Sequence, residues 1–307
     1  MNHYPSNVKE KLNSIILSMA EHHWLFSKNP GHDFTRQRLG KLSFYDTMRL
    51  IISMGKGSTN DEIMDYFDLD PDLIPSQSAF CQRRRQISLS AFEYLFSEFS
   101  SSFPSTTDKF KDHCILACDG CHVVYATNSD IIEDYNKPRL IDYKGYNHMH
   151  LNGFVDVISK AFLDVVIQPG QQPDEREALH SMLDHFTPDD PQKYIITADR
   201  GYESYDLLFH CELKNLGYVF RVKSPSSPKS ILSYYASEFP DDLEEFDVTI
   251  KRFFTDKATN IMKSQSDVYR YINPSKNTPH FYELLRKNHS HLYFCLLYTS
   301  PSPRDST

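Results

Sequence analysis

Two aspartates in this chain follow apolar runs. "ILACDG" (115–120) leads small and apolar residues into Asp119 and Gly120, and "YIITADRGYES" (194–204) repeats the arrangement at Asp199, followed by Arg200 and Gly201. Short apolar runs bounded by turn formers read as buried strands. A carboxylate at the C-terminal end of a strand in a helix-flanked sheet points into the crevice where such sheets hold ligands. Two hard oxygen donors without thiols suit Mg2+ or Mn2+. Ions held this way can activate an attacking hydroxyl and stabilise the leaving 3′ oxygen in phosphodiester transfer. The plainer use of either residue is a turn or a helix cap, since Asp-Arg-Gly is also a turn sequence.

The surrounding elements must position those carboxylates. Strands are expected at "CILACDG" and "HVVYAT", and two more, joined by a turn near Ser159–Lys160, in "HLNGFVDVISKAFLDVVIQPG". A helix capped by Asp174 follows, then the strand "KYIITADRG", a helix ending at Gly217, and the strand "YVFRVKS". Strands followed by a helix, then strand–helix–strand, predict a mixed α/β sheet flanked by helices.

Upstream, the pattern is helical. Apolar positions 8, 12, 15, 16 and 19 have helical spacing, and Ser43 and Ser58 or Thr59 are N-cap candidates. "SQSAFCQRRRQIS" places Arg83, Arg84 and Arg85 in one of these short helices, which suits a DNA-binding module or a solvated basic face. The polar stretch 100–113, broken by Pro104, marks a boundary. The expected organisation is therefore a helical region over 1–104, a sheet domain over 105–224, and an incomplete β-rich insertion over 225–294. The tail 295–307, "CLLYTSPSPRDST" with its preceding residues' pattern lost, resembles translated sequencing adapter and is expected not to finish a strand.

A net charge of −8 counts against a nucleic-acid binder that uses its whole surface, so basic clusters at 36–41 and 83–85 matter more than the total. No run of eighteen apolar residues and no secretory pattern occurs, so a cytoplasmic protein with no membrane partner is expected. Cys114, Cys118 and Cys121 beside His122 lack the second pair a zinc ribbon needs. His148 and His150, at alternate positions, are expected to be structural.

"CDG" (118–120), "TADRGYES" (197–204), "YVFRVKS" (218–224) and "GYNHMHLNGFVDVISKAFLDVVIQPG" (145–170), in this order and spacing, resemble the bacterial insertion-sequence DDE transposases of the hairpin-forming group. The resemblance covers roughly residues 35–294. It implies a ribonuclease H-like sheet, a helical DNA-binding N-terminus and a β-rich insertion before the last catalytic residue. It also implies that Asp119 and Asp199 are the first and second metal-binding, catalytic aspartates, with Mg2+ or Mn2+ as cofactor. Arg200, Gly201 and Tyr202 match the signature after the second aspartate, and Arg221 and Lys223 match its basic pair. Arg200 would clamp a phosphate bidentately and Lys223 would act as a point charge, with a salt bridge as the alternative for either.

The family's third carboxylate is a glutamate in a Tyr–Arg–Glu–Lys pattern on a later helix. "FYELLRKNHSH" holds Tyr282, Glu283, Arg286 and Lys287 in the wrong order, so Glu283 reads as a surface residue. The implied activity is hydrolysis and strand transfer at the ends of an insertion sequence, and a chain lacking the third carboxylate is expected to be inactive. Implied partners are double-stranded DNA at terminal inverted repeats and target DNA, with a dimer for the complete protein and nucleoid association when bound. A non-catalytic DNA-binding remnant, a ribonuclease H-like nuclease without strand transfer and a metabolic α/β enzyme are the competing readings. The last lacks a phosphate-cradling glycine loop and a nucleophile motif.

Overall fold

The computed structural model describes residues 4–34, 42–102, 109–137, 145–224, 226–233, 246–256, 260, 269–272, 279–286 and 291–298. The chain divides into two compact units, 1–104 and 105–307.

The first unit is helical: α1 (Tyr4–Glu21), a 3-10 turn (His23–Phe26), α2 (Phe44–Ser53), α3 (Thr59–Tyr66), α4 (Gln77–Gln86) and α5 (Leu89–Ser101). Serine side chains start three of these helices. Ser43 forms a capping box with Asp46, Ser58 accepts from the Asp61 N–H and Ser76 from the Ala79 N–H. Such caps each contribute about 1 kcal/mol by satisfying amides that have no partner within the helix. Helix α2 serves two cores. Its Phe44 and Met48 join Ile16, Met19 and Ala91 in one, while Leu50 meets Ile63 and Phe80 in the other.

The second unit is built on a mixed sheet. Its strands are β1 (Cys114–Tyr125), β2 (Tyr135–Asn136), β3 (Tyr146–Asp156), β4 (Phe162–Pro169), β5 (Tyr194–Ala198) and β6 (Gly217–Phe220). The order is β2-β3-β1-β5-β6, with β4 also paired to β3. The pairs β1–β3 and β3–β4 are antiparallel, whereas β1–β5 and β5–β6 are parallel. The parallel pairs need crossovers, supplied by α6 (Glu175–His185) before β5 and α7 (Tyr205–Leu213) before β6.

Alternation along β1 buries Cys114, Leu116 and Cys118 on one face. There Leu116 and Cys118 join Ala178, Leu179 and Met182 of α6 and Leu207 and Cys211 of α7. Six consecutive α7 residues, Asp206 to Cys211, are buried. The other side of α7 explains this, because Leu208 and Phe209 pack with Leu232, Phe254 and Phe281. Phe254 belongs to a second sheet, β7 (Phe246–Thr255) between β8 (Tyr269–Tyr271) and β9 (His291–Tyr298). Phe281 lies on α8 (Pro279–Arg286). No described helix is long and apolar enough to cross a membrane.

Three local expectations are corrected. The two strands read around Asp119 are one continuous β1, so Asp119 lies within a strand rather than at its end. Gly217 does not end α7 but begins β6. The helix stops earlier, and Asn215 takes the left-handed conformation (φ 55°) usual after a helix terminus. Strand β9 continues to Tyr298 and pairs Cys295 with Thr249 of β7, so part of the tail does complete a strand. The basic cluster at 36–41 and residues 299–307 lie outside the described residues.

Candidate functional site

Strand register brings the two aspartates side by side. Cys118 pairs with Ala198 in the parallel β1–β5 ladder, and Asp119 and Asp199 are the next residue of each chain segment. Beyond this point β1 continues only against β3, where Asp119 faces Gly153 and the hairpin extends to Tyr125 opposite Asn147. One edge of β1 therefore loses its neighbour at Asp119, and this opening is the crevice the sheet topology creates.

Both carboxylates are exposed, and each is fixed by one backbone amide. Asp119 Oδ1 accepts from the Gly120 N–H at 2.9 Å, and Asp199 Oδ1 from the Gly201 N–H at 2.7 Å. The Asp199 carbonyl also accepts from the Tyr202 N–H, which closes a turn after β5. Arg176 of α6 braces this turn by donating from Nε to the Gly201 carbonyl at 3.3 Å.

A third carboxylate reaches the same place. A β-carbon at Gly120 would stand 3.0 Å from Glu175 Oε1, and one at Gly201 would stand 2.7 Å from Glu175 Oε2 and 3.0 Å from Asp199 Oδ1. The glycines beside both aspartates thus leave room for one side chain, that of the first residue of α6. Asp174 caps this helix through the N–H groups of Arg176 and Glu177, as the sequence predicts. Glu175 itself carried no signal, because its neighbours Gly120 and Gly201 lie far away along the chain.

Buried polar groups lie beneath the carboxylates. Tyr202 is 1% exposed and donates to Asn152 Oδ1 at 3.4 Å. Burial pushes the Cys118 thiol up to about 12, the charges of Asp119, Glu175 and Asp199 reinforce it, and the contact with Tyr202 opposes it. Burial, Cys118 and the charges of Glu175 and Asp119 also raise the Tyr202 phenol, so both groups stay protonated at neutral pH. His150 is buried, with Nε2 3.4 Å from Glu175 Oε1 but without hydrogen-bond geometry. His148 is buried too and contacts Asn136, so both histidines sit within the sheet rather than in solvent.

The basic residues fall into distinct settings. Arg200 is exposed next to Asp199. Arg221 is exposed, and its N–H donates to the Ala198 carbonyl at 3.0 Å, which ties it to the end of β5. Lys223 Nζ contacts Glu203 Oε2 and the Arg200 carbonyl, both at 3.1 Å. Glu203 lies in the "TADRGYES" segment, and its side chain is fully buried. It also accepts from the Lys223 and Ile231 N–H groups and from the Ser230 hydroxyl. Burying a carboxylate is costly unless it is paired and hydrogen-bonded. Here those partners fasten the segment after β6 to the turn that carries Asp199.

In the helical unit, Arg84 and Arg85 are exposed, and Arg83 is half-buried. The Arg83 guanidinium covers the Phe34 ring at 5.1 Å and donates to Gln86 Oε1, while Arg84 leans on Phe80 at 5.7 Å. Three consecutive helical residues fan around the axis at about 100° each, so they do not form one stripe. Glu283 is exposed on α8. Among the cysteines, Cys114 and Cys118 face the core and Cys121 is exposed.

A search of the curated proteins finds no match. The family model for the transposase DDE domain matches residues 110–291, the stretch that spans both aspartates and every strand of the mixed sheet. That span is more than half of the chain, and the chain belongs to the DDE-domain transposases.

Proposed function

We propose that this chain carries the catalytic core for metal-dependent phosphodiester hydrolysis and strand transfer on DNA at insertion-sequence ends, with Asp119 and Asp199 as the metal-binding carboxylates. Transposases of this family act on DNA and use divalent metal ions. The observation that carries the residue assignment is the parallel pairing of Cys118 with Ala198, which sets two exposed carboxylates at adjacent strand positions.

The donor set fits a hard divalent cation. Each aspartate has one oxygen engaged by a backbone amide, and among the described residues neither carboxylate makes an ion pair. Mg2+ or Mn2+ takes carboxylate oxygens while retaining several waters. Bound there, such an ion would supply Lewis-acid stabilisation of charge on the phosphoryl and leaving oxygens. Glu175 adds negative charge beside the pair. Arg200 and Arg221, exposed at the same end of β5, would orient phosphates by charge-assisted hydrogen bonds. Lys223 is already paired with the buried Glu203, so its role is to hold the Arg200 segment in place.

The order of an antiparallel β4-β3-β1 set continued by parallel β5 and β6 supports a ribonuclease H-like reading. The exposed Arg84 and Arg85 support DNA contact by the helical unit. The hairpin-forming subgroup and a dimer on paired DNA ends rest on the sequence resemblance. The glutamate of a Tyr–Arg–Glu–Lys pattern has no counterpart in these 307 residues, so this chain is expected to be inactive or to retain at most weak cleavage. Mn2+-dependent nicking of supercoiled plasmid tests the reading, because a single cut per molecule is scored. Weak nicking that disappears in Asp119→Asn and Asp199→Asn supports it. Nicking unchanged in both variants would refute the assignment, and nicking without joined products would identify a nuclease.

A further inference from the structure

A second cluster of ligand-type residues lies outside the carboxylate site. His180 on α6, His210 on α7 and His280 on α8 each offer one ring nitrogen, and these atoms lie within 4.8 Å of one another. This is the sole group of three or more potential ligands gathered closely enough to hold an ion among the described residues. We propose that these three histidines bind one Zn2+ ion, which fastens α8 to the two helices of the sheet domain.

The placement of the three rings against two carboxylates carries the argument. His180 Nε2 lies 3.3 Å and His280 Nδ1 2.8 Å from the same oxygen, Oδ2 of Asp206. His210 Nε2 lies 3.1 Å from Asp184 Oδ1. A carboxylate only accepts, so His280 Nδ1 donates to Asp206, and a proton on His180 Nε2 and on His210 Nε2 would face the nearby carboxylates. The neutral rings of His180 and His210 then present bare lone pairs at Nδ1, and those two atoms are 2.9 Å apart. Moving either proton to Nδ1 would mend that contact but leave a bare nitrogen against a carboxylate oxygen. A cation between the two Nδ1 atoms would satisfy both lone pairs while each ring stays neutral.

A proton is the poorer candidate. The His210 side chain is 3% and the His180 side chain 14% exposed. A divalent ion also matches the two nearby carboxylates in charge. Imidazole nitrogens suit Zn2+ and not Mg2+. Metal-bound histidines commonly donate their second nitrogen to a carboxylate, the arrangement Asp206 and Asp184 already provide.

Tetrahedral coordination at about 2.0–2.1 Å per bond separates ligand nitrogens by about 3.3 Å, so the two Nδ1 atoms need only a small outward shift. The rings now lie nearly parallel, with His210 and His280 12° apart in plane and 3.9 Å between centroids. Closing on the ion therefore requires the His280 ring to turn its free nitrogen, Nε2, toward the other two. Water would fill the fourth position.

The full chain, stripped with chelator, is incubated with Zn2+ in excess Mg2+, desalted and assayed for metal. About one zinc per chain is expected in the wild type and in Asp119→Asn/Asp199→Asn, with at least tenfold weaker binding in His280→Ala. Absence of retained zinc in the wild type, retention in His280→Ala at the wild-type level, or loss in the aspartate variant would overturn the proposal. A measurement without histidine variants guards against misfolding: Zn2+ should raise the Tm of the stripped wild type, and Co2+ should give the absorption of a tetrahedral nitrogen site. An unchanged Tm, or an octahedral Co2+ spectrum, would overturn it equally.

Discussion

Cys118 of β1 and Ala198 of β5 are the last partners in a parallel ladder, and each is followed by an aspartate. Opposite β3, β1 continues for seven more residues, Asp119 to Tyr125, so the site opens on one edge while the other stays braced. The backbone near the carboxylates is thereby held by paired strands, and the crevice remains open on the other edge.

The close approach at Gly120 predicts a stability cost. A β-carbon there would meet His150 Nε2 at 2.5 Å, Asn152 Oδ1 at 3.0 Å and Glu175 Oε1 at 3.0 Å. Gly120→Ala should cost about 1–3 kcal/mol by overpacking. Gly31→Ala, which meets nothing within 4 Å, is the control for the general effect of the exchange. Urea denaturation of both variants measures the difference, and equal midpoints would contradict the packing described.

Glu203 is expected to be a structural carboxylate whose loss is felt at Arg200. Its side chain is fully buried against Lys223, which is 27% exposed at the side chain. Removing the buried charge weakens four hydrogen bonds it accepts and should cost about 1–3 kcal/mol, since the partly exposed Lys223 can be resolvated. Glu203→Gln should lower the denaturation midpoint strongly and release Lys223 from the Arg200 carbonyl. A midpoint at the wild-type value would show that the buried pair contributes nothing.

The histidine cluster sets a direction for pH dependence when metal is removed. His180 and His210 have depressed folded-state values, about 4 and about 3, against an ordinary value near 6.5. Below about pH 6.5 the unfolded chain binds protons that the folded chain does not. Their contribution to stability is therefore full above that pH and is lost progressively as pH falls toward the folded values. In chelator, the midpoint should decline between pH 6.5 and 4, and His210→Gln should flatten that decline. An identical slope in the variant would contradict the assignment.

In the helical unit, the arginines should separate by experiment. Arg84→Ala and Arg85→Ala should weaken duplex DNA binding and each reduce the logarithmic salt slope by about 1 if they touch phosphates. Arg83→Ala should instead lower stability by about 0.5–1 kcal/mol, through loss of the guanidinium over Phe34. Fluorescence anisotropy over a salt series, alongside urea melts, distinguishes the two outcomes.

Much of this organisation was legible because it is local. Apolar runs ending at Asp119 and Asp199 marked the strands, and Ser43, Ser58 and Asp174 marked helix starts through side-chain caps within a few residues. Continuity of β1 through Asp119 was not legible, since a polar residue next to glycine ordinarily signals a turn. It is held by pairing to β3 residues some thirty positions later. The place of Glu175 depends on two glycines, one in β1 and one in the turn after β5, and the histidine trio joins residues 180, 210 and 280 from three helices. Neither arrangement has a periodicity or a compact motif. Lys223 was read as either a phosphate contact or an ion pair, and only tertiary packing supplied Glu203 as its partner.

Divalent-ion binding at the paired aspartates is the most direct test. Mn2+ titration of the full chain, followed by electron paramagnetic resonance of the free ion, should show binding that falls at least tenfold in Asp119→Asn and in Asp199→Asn, with His280→Ala unaffected. Wild-type Mn2+ binding in both aspartate variants would contradict the account, whatever the DNA assays show.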